Sequence, residues 1–323
     1  MNRAAPEFAV HQSASLAPHL GLYVLGDPAA LWQQAAALAE RIVPGADLTP
    51  AAKVYAAVLQ LFAGSHPGYR AIATPYHDRD HTLEIFMCAL CVMHGLQLSG
   101  QAIGEQDLLA GMIGALLHDA GYAQTDDDLD GTGAKYTLEH VQRGIAYMHR
   151  RAADFGLSPA LEAAVDCVMQ CTDHRVDPAN VAFPDPTSRL IGLAVGSADL
   201  VGQMSDRTYL EKLLYLYVEF KEAQIGDYRG MYDLLCKTSG FYQFVNNRLE
   251  TDLHGVYHHL DAHFQAEAAD GVNYYATSIA KNFKYLDSVL AANEEEFLAC
   301  LKRGGIVQQI KEVFGEAVLQ EGL

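Results

Sequence analysis

Apolar residues recur along this chain at intervals of three and four, and they rarely alternate with polar residues over five or more positions, so the pattern predicts helices from end to end. Residues 29–42 form an amphipathic segment opened by Asp27-Pro28, and residues 50–63 form another with Pro50 at its start. Residues 1–48 thus read as a helical N-terminal extension, and 49–323 as the main domain. A turn-rich stretch follows, with Gly64-Ser65-His66-Pro67-Gly68 and then Pro75, and it delivers the chain into a helix over about 78–93. The segment 107–117 is apolar on most faces and is expected at the centre of the fold. After a polar loop over 126–133 come helices at about 137–155, 159–171 with Ser158 as cap, 187–204 and 209–224. Residues 229–314 read as further helices broken at Gly240, Gly271 and Gly304-Gly305. No internal repeat is visible, and the predicted fold class is an all-α, multi-helix single domain.

Composition narrows this picture. With 323 residues, half of them hydrophobic, the chain can bury a sizeable core without disulfides. Twenty-two Lys and Arg stand against 40 Asp and Glu, a formal charge of −18, so a basic face for a nucleic-acid polymer is not expected. No run approaches the ~18 apolar residues of a membrane span, and residues 1–20 lack the apolar core of a leader. The expectation is a cytoplasmic protein without a membrane partner, and an exposed apolar face on residues 29–42 would provide a homodimer contact. Six cysteines lie mostly inside apolar helical patterns, and both Cys88/Cys91 and Cys167/Cys171 fall in mid-helix rather than in the tight turns of a structural zinc site. Reduced core thiols are expected.

The chemistry-bearing residues cluster between positions 76 and 199. They are Tyr76-His77-Asp78-Arg79-Asp80-His81, His118-Asp119, Glu139-His140, Thr172-Asp173-His174 and Ala198-Asp199-Leu200. Mixtures of imidazole and carboxylate hold divalent metals such as zinc, iron or manganese. His77 and His81 share a helix face, so one can bind metal while the other reaches a substrate. His118-Asp119 closes an otherwise apolar helix, where a buried charged pair is costly unless a cation or partner satisfies it. Other histidines (His254, His258, His259, His263) recur at helical spacing and read as solvated or core residues. The acidic loop at 126–130 lacks the alternation and closing glutamate of a calcium loop.

The series H…HD…H…H…D resembles the His-Asp (HD) superfamily of metal-dependent phosphohydrolases. Over about residues 60–300 the chain resembles, within it, the class I cyclic nucleotide phosphodiesterase catalytic domain. Tyr76-His77-Asp78-Arg79-Asp80-His81 is similar to that family's Y-H-N-x-x-H, Cys171-Thr172-Asp173 to its A-T-D, and Ala198-Asp199-Leu200 to its A-D-L. The resemblance implies an HD/phosphodiesterase-like helical bundle and two divalent ions (Zn, Mn, Mg or Fe). It implies that His81, His118, Asp119 and Asp199 hold the first ion and that Asp119 bridges to the second. His77 becomes the general acid, and Glu139 orients the bridging water. A hydroxide shared by the two cations would then attack a small phosphoester, such as a cyclic nucleotide or a related nucleotide, with His77 protonating the departing oxygen.

Departures from the family pattern bear on the substrate. Where those phosphodiesterases carry H-D-x-x-H, this chain has Tyr122. Their purine-binding glutamine precedes Gly-Phe, and if Gly240-Phe241 is that pair, Thr238 takes its place; a shifted alignment brings in Gln243. Tyr76, Thr238, Phe241 and Gln243 are therefore the candidate substrate-binding residues. His140 and His174 resemble HD proteins whose second metal also receives two imidazoles, a set shared by phosphohydrolases and HD-type di-iron oxygenases. The alternatives are thus a di-iron oxygenase of a small substrate, or a nucleotide-sensing HD protein without turnover.

Overall fold

The protein is described by a computed structural model, which covers Tyr23 and residues 25–319. The stretch 1–20, read above for a leader, lies outside the described residues. Fourteen α-helices are present among the described residues, joined by short 3-10 turns and no strand; a single bridge links Tyr69 and Thr125. They are α1 (Pro28–Ile42), α2 (Thr49–Ala63), α3 (Arg79–Leu98), α4 (Glu105–Leu117), α5 (His140–Phe155), α6 (Pro159–Gln170) and α7 (Pro186–Ser205), then α8 (Tyr209–Ala223), α9 (Met231–Glu250), α10 (Leu260–Glu267), α11 (Tyr274–Leu290), α12 (Phe297–Cys300), α13 (Ile306–Phe314) and α14 (Glu316–Leu319). The fold is an all-α multi-helix bundle.

Helix starts follow local chemistry. The Asp27 carboxylate accepts from the amides of Ala29 and Ala30, Asp78 accepts from His81 N at 2.7 Å, Ser158 from Leu161 N, and Asp185 from Ser188 N. Helices stop where glycine takes a left-handed turn, as at Gly64 after α2 and Gly156 after α5. Gly271 and Gly304-Gly305 also have positive φ between helices, as expected. Gly240 does not break its helix. It lies inside α9, where the penalty of one glycine, about 1 kcal/mol, is outweighed by burial of Leu234, Leu235, Val245 and Leu249 on the inward face.

The centre of the bundle is α3, α4 and α7. From His81 to Leu96 every residue of α3 is buried, and α4 is buried from Leu108 to Leu117. Neither has a polar face to offer water, so other helices must cover them. Helix α7 packs across both, α6 covers α4, and α1, α10 and α11 close the remaining sides. By length and composition α3 would suit a membrane span, but it is buried inside this bundle. The apolar face of α1 (Leu31, Ala35, Leu38, Ala39, Ile42) is buried in the same core and packs on α3, so it is not the exposed dimer surface that the pattern suggested. Cys88, Cys91, Cys167 and Cys171 are buried free thiols, whereas Cys236 is exposed on α9.

Two close approaches set how helices meet. A Cβ on Gly95 would lie 1.8 Å from the carbonyl oxygen of His259, and one on Gly121 would lie 1.8 Å from that of His140. Beside Gly95, His94 and His263 meet Nδ1 to Nδ1 at 3.0 Å with only 3% and 5% of their surface exposed. Burial, then the neighbouring His94 and Arg41, lower His263 to about 3.

Substituting Gly121→Ala or Gly95→Ala is expected to cost about 1–3 kcal/mol or more by forced displacement of backbone, read as a lowered thermal midpoint. Unchanged midpoints would show that the helices separate freely. The histidine pair gives a pH dependence of definite sign. An unfolded histidine takes up its proton near pH 6.5, while folded His263 refuses it until about 3. Stability is therefore complete above the unfolded value and is lost as pH falls below it. Urea midpoints measured from about pH 7 to about pH 4 should decline more steeply for the wild type than for His263→Gln; parallel declines would exclude the pair as a contributor.

Candidate metal centre

The apolar helix α4 runs into the core and ends at His118, which is 1% exposed; Asp119, 2% exposed, is the first residue out of helical geometry. His118 Nδ1 donates to the carbonyl of Ala115 at 2.8 Å. That bond commits Nδ1 as a donor and turns Nε2 towards the carboxylates. Helix α3 brings His81 from one side, and α7 brings Asp199 from the other. His81 Nε2 lies 3.4 Å from Asp119 Oδ2 and 3.9 Å from Asp199 Oδ1, while His118 Nε2 lies 3.1 Å and 3.8 Å from the same two oxygens.

These separations suit donors arranged about one cation at bonds of roughly 2.0–2.2 Å. His118 Nε2 and Asp119 Oδ2 are also buried, and beyond their own 3.1 Å contact neither has a partner in hydrogen-bond geometry, a costly condition that a metal would relieve. His81, His118 and Asp119 form the one group of this kind found among the described residues. The donor set therefore fits a divalent ion.

The second oxygen of Asp119 faces elsewhere. His140, first residue of α5, places Nε2 3.7 Å from Asp119 Oδ1, and its Nδ1 donates to the carbonyl of Thr137 at 2.7 Å. Asp119 thus presents Oδ2 to His81 and His118 and Oδ1 to His140 alone.

Electrostatics match this crowding. Burial would raise Asp119, yet His118, His77 and His81 outweigh it and hold the carboxyl well below the usual range. Asp199 is pushed up to about 6 by burial and by repulsion from Asp119, despite the nearby His118. Burial lowers His81 and brings His140 to about 4, keeping both neutral at pH 7. Burial also opposes protonation of His118, but Asp119 overrides it and raises the ring to about 9.

His77 is held apart from the donor set. Its Nδ1 meets Glu219 Oε2 of α8 at 2.6 Å, and Glu219 Oε1 accepts from the amides of Tyr76 and His77 at 2.6 and 3.3 Å. Burial disfavours the charged ring, but Glu219, Asp119 and Asp199 outweigh it and raise His77 to about 9. Its ring lies 5.7 Å from that of His81 and edge-on to it. Tyr76 is buried beside both rings, and its hydroxyl donates to Gln203 at 2.9 Å.

The remaining sequence candidates lie elsewhere. Glu139 is exposed at the N-cap of α5, with Arg175 as a charged neighbour, rather than turned into the donor cluster. His174 lies at an exposed position in the turn after α6; burial of its ring, with Arg248 and Arg175 nearby, lowers it despite Asp173. Thr238 is buried and donates to the Leu234 carbonyl at 3.0 Å, so its hydroxyl is spent inside α9. Gln243 is exposed, as is Phe241, whose ring pairs with Phe244 at 6.2 Å. Of the four candidate substrate residues, Tyr76 is the one in ring contact with the imidazole cluster.

Several site residues were missed from sequence. Glu219 had one usable signal, a carboxylate in the apolar run Leu216-Tyr217-Val218-Glu219-Phe220, where an unpartnered charge would be costly. Glu222, one turn on, accepts from the amides of Thr132, Gly133 and Lys135 and from the Thr132 hydroxyl, tying the 131–135 loop to α8. The acidic loop is further fixed by Asp128, which takes bonds from Lys135 and Tyr136. Arg248 of α9 donates to the carbonyls of Cys171, Asp173, His174 and Val176, and so secures the turn bearing His174.

A family model described as Npun_R2479-like matches residues 126–265, a span that includes His140, His174, Asp199 and Glu219. No curated protein and no solved structure matches the chain.

Proposed function

We propose that the chain is a metal-dependent phosphohydrolase acting on a small phosphoester, with a cyclic nucleotide or related nucleotide as the preferred substrate class. One observation carries this reading, a division of labour within the cluster. His81, His118, Asp119 and Asp199 converge as cation donors, while His77, which precedes the N-cap of α3 and so does not share a helix face with His81 as the spacing suggested, stands outside that set and is kept protonated by its own buried carboxylate. Hydrolysis of a phosphoester needs both halves, an activated water and a proton for the departing oxygen.

Divalent ions held at these donors would polarise a water and absorb charge on the phosphoryl oxygens. The chain supplies the rest. Glu219 anchors His77 through Nδ1, leaving Nε2 to deliver a proton. Asp119, stripped of water and facing His140 with its other oxygen, orients the two sides of the centre. A ring poised to donate a proton has no evident task in oxidation by a di-iron centre, and His174, which that chemistry would enlist, lies at an exposed position in the turn after α6.

Metal content and turnover separate the parts. Asp119→Ala is expected to lose bound metal and all hydrolysis. His77→Ala should retain metal at wild-type stoichiometry and lose about 10²- to 10⁴-fold in kcat. Metal loss in His77→Ala would overturn the general-acid role. The decisive assay is phosphoester hydrolysis with manganese, magnesium, zinc and ferrous iron supplied separately. Iron-dependent oxygen consumption with no phosphoester cleaved would replace this reading by the oxygenase one. Glu219→Gln should bind metal normally yet lower kcat at alkaline pH, because the ring then gives up its proton at a lower pH; a pH profile identical to wild type would remove Glu219 from the mechanism.

A further inference from the structure

Tyr122 stands where the resemblance calls for a third imidazole, and the structure gives it a different task. It lies in the 3-10 turn Ala120–Tyr122, completely buried. Its ring is stacked on His77 at 4.7 Å between centroids with the planes 24° apart, and on His140 at 4.7 Å with the planes 9° apart. The two imidazoles are 6.3 Å from each other.

That triangle excludes a sandwich. Rings on opposite faces of a phenol would stand roughly 7 Å or more apart, twice the ~3.5 Å carbon contact distance. At 6.3 Å, His77 and His140 instead rest side by side over one face of Tyr122, each offset towards opposite ends of the ring. Offset stacking of this kind is the favoured arrangement for aromatic rings. A single imidazole at position 122 is too small to underlie both.

We propose that Tyr122 is a positioning residue whose ring is a common platform fixing His77 beside His140. The catalytic part rests on the hydrolase reading above; the geometric part does not. Each imidazole is otherwise tethered at one nitrogen only, His77 by Glu219 and His140 by the Thr137 carbonyl. A single tether leaves a ring free to swing about that bond, and contact with the platform removes this freedom. The platform is rigid because Gly121 lets its turn lie directly on α5: a Cβ there would meet the His140 carbonyl at 1.8 Å. Arg143 reinforces the same junction by donating to the carbonyls of Gly121 and Ala123, both at 2.8 Å. The turn under His77 and the helix carrying His140 are thereby one unit.

The Tyr122 hydroxyl, buried beside Thr137, is not what the platform uses. Tyr122→Phe keeps the ring and removes only that group. Tyr122→Leu removes the ring, and Tyr122→Met, flexible and of similar length, serves should the leucine variant not fold.

The test has two arms. In metal-free protein, the imidazole Cε1 proton resonances of His77 and His140, assigned by their own substitutions, should be shifted by the Tyr122 ring current. They should stay in place in Tyr122→Phe and move together in Tyr122→Leu or Tyr122→Met. In the kinetic arm, Tyr122→Phe should keep kcat within about threefold of wild type, while the aliphatic variants lose tenfold or more in kcat with a smaller change in KM. Combined with His77→Ala, an aliphatic variant should cost little beyond His77→Ala alone, because Tyr122 acts through that ring. Unmoved resonances, an aliphatic variant within twofold of wild type, or losses that add in full to those of His77→Ala would each overturn the proposal. A wild-type protein that cleaves no phosphoester with any metal would sink the hydrolase reading instead, and the resonance arm would then decide the platform by itself.

Discussion

A carboxylate that is 2% exposed at the end of an apolar helix sets the terms for the rest of this molecule. Removing an ion such as Asp119 from water costs several kcal/mol even after relaxation, and the cost is recovered only when its surroundings answer the charge. Helix α4, buried throughout its last ten residues, drives Asp119 into the core with no route back to solvent. His118, His81 and His140 are the answer that the neighbouring helices bring. It is an incomplete answer, because α7 adds a second carboxylate, Asp199, that repels the first. Two carboxylates among imidazoles, with a nitrogen and an oxygen that have no partner beyond each other, are a poor protein core and a good socket for a dication.

The scaffold serves that socket through two kinds of support. Backbone carbonyls of Ala115 and Thr137 commit Nδ1 of His118 and of His140 as donors from inside the same turns of chain. Helix α8 provides the longer reach, with Glu219 and Glu222 three residues apart and so on one face. The first holds His77, and the second holds the amides of the loop that leads to α5. One helix thereby ties both flanks of the centre, so a shift of α8 would move the proton-bearing histidine and the 131–135 loop together.

How much of this could be read from residues alone depends on the range of the interaction involved. Helix identity is local, so the start at Asp27, the cap at Ser158 and the apolar rhythm of α3, α4 and α7 were legible. So were His118-Asp119 and His81, because charged or ligating groups in apolar runs must be satisfied. Glu139 misled, since adjacency to His140 says nothing about direction, and the N-cap position turns it to solvent. His174 misled for a related reason: its turn is oriented by Arg248, 74 residues away, through carbonyl bonds that no spacing rule anticipates. Gly240 looked like a breaker because its propensity is local, while the packing that overrides it is not. Glu219, 142 residues beyond His77, is legible only as an anomaly whose partner must be found in three dimensions.

The same bookkeeping of charges limits what can attract a substrate. A net charge of −18 repels a phosphoester at a distance, so recognition must come from local cationic groups. The arginines around the centre are already engaged. Arg248 is saturated by the carbonyls of the 171–176 turn, Arg175 is paired with Asp173 at 2.7 Å, and Arg143 holds the carbonyls of Gly121 and Ala123 while lying 3.4 Å over the ring of Tyr136. Each would have to abandon a protein acceptor to grip a phosphate. On the proposed reading, the positive field for the phosphoryl group then comes from the metal ions and from protonated His77, both at the bottom of the site. Binding and chemistry would draw on the same few charges, and the placement of His77 relative to Asp119 and His140 becomes the quantity that the surrounding helices are built to hold.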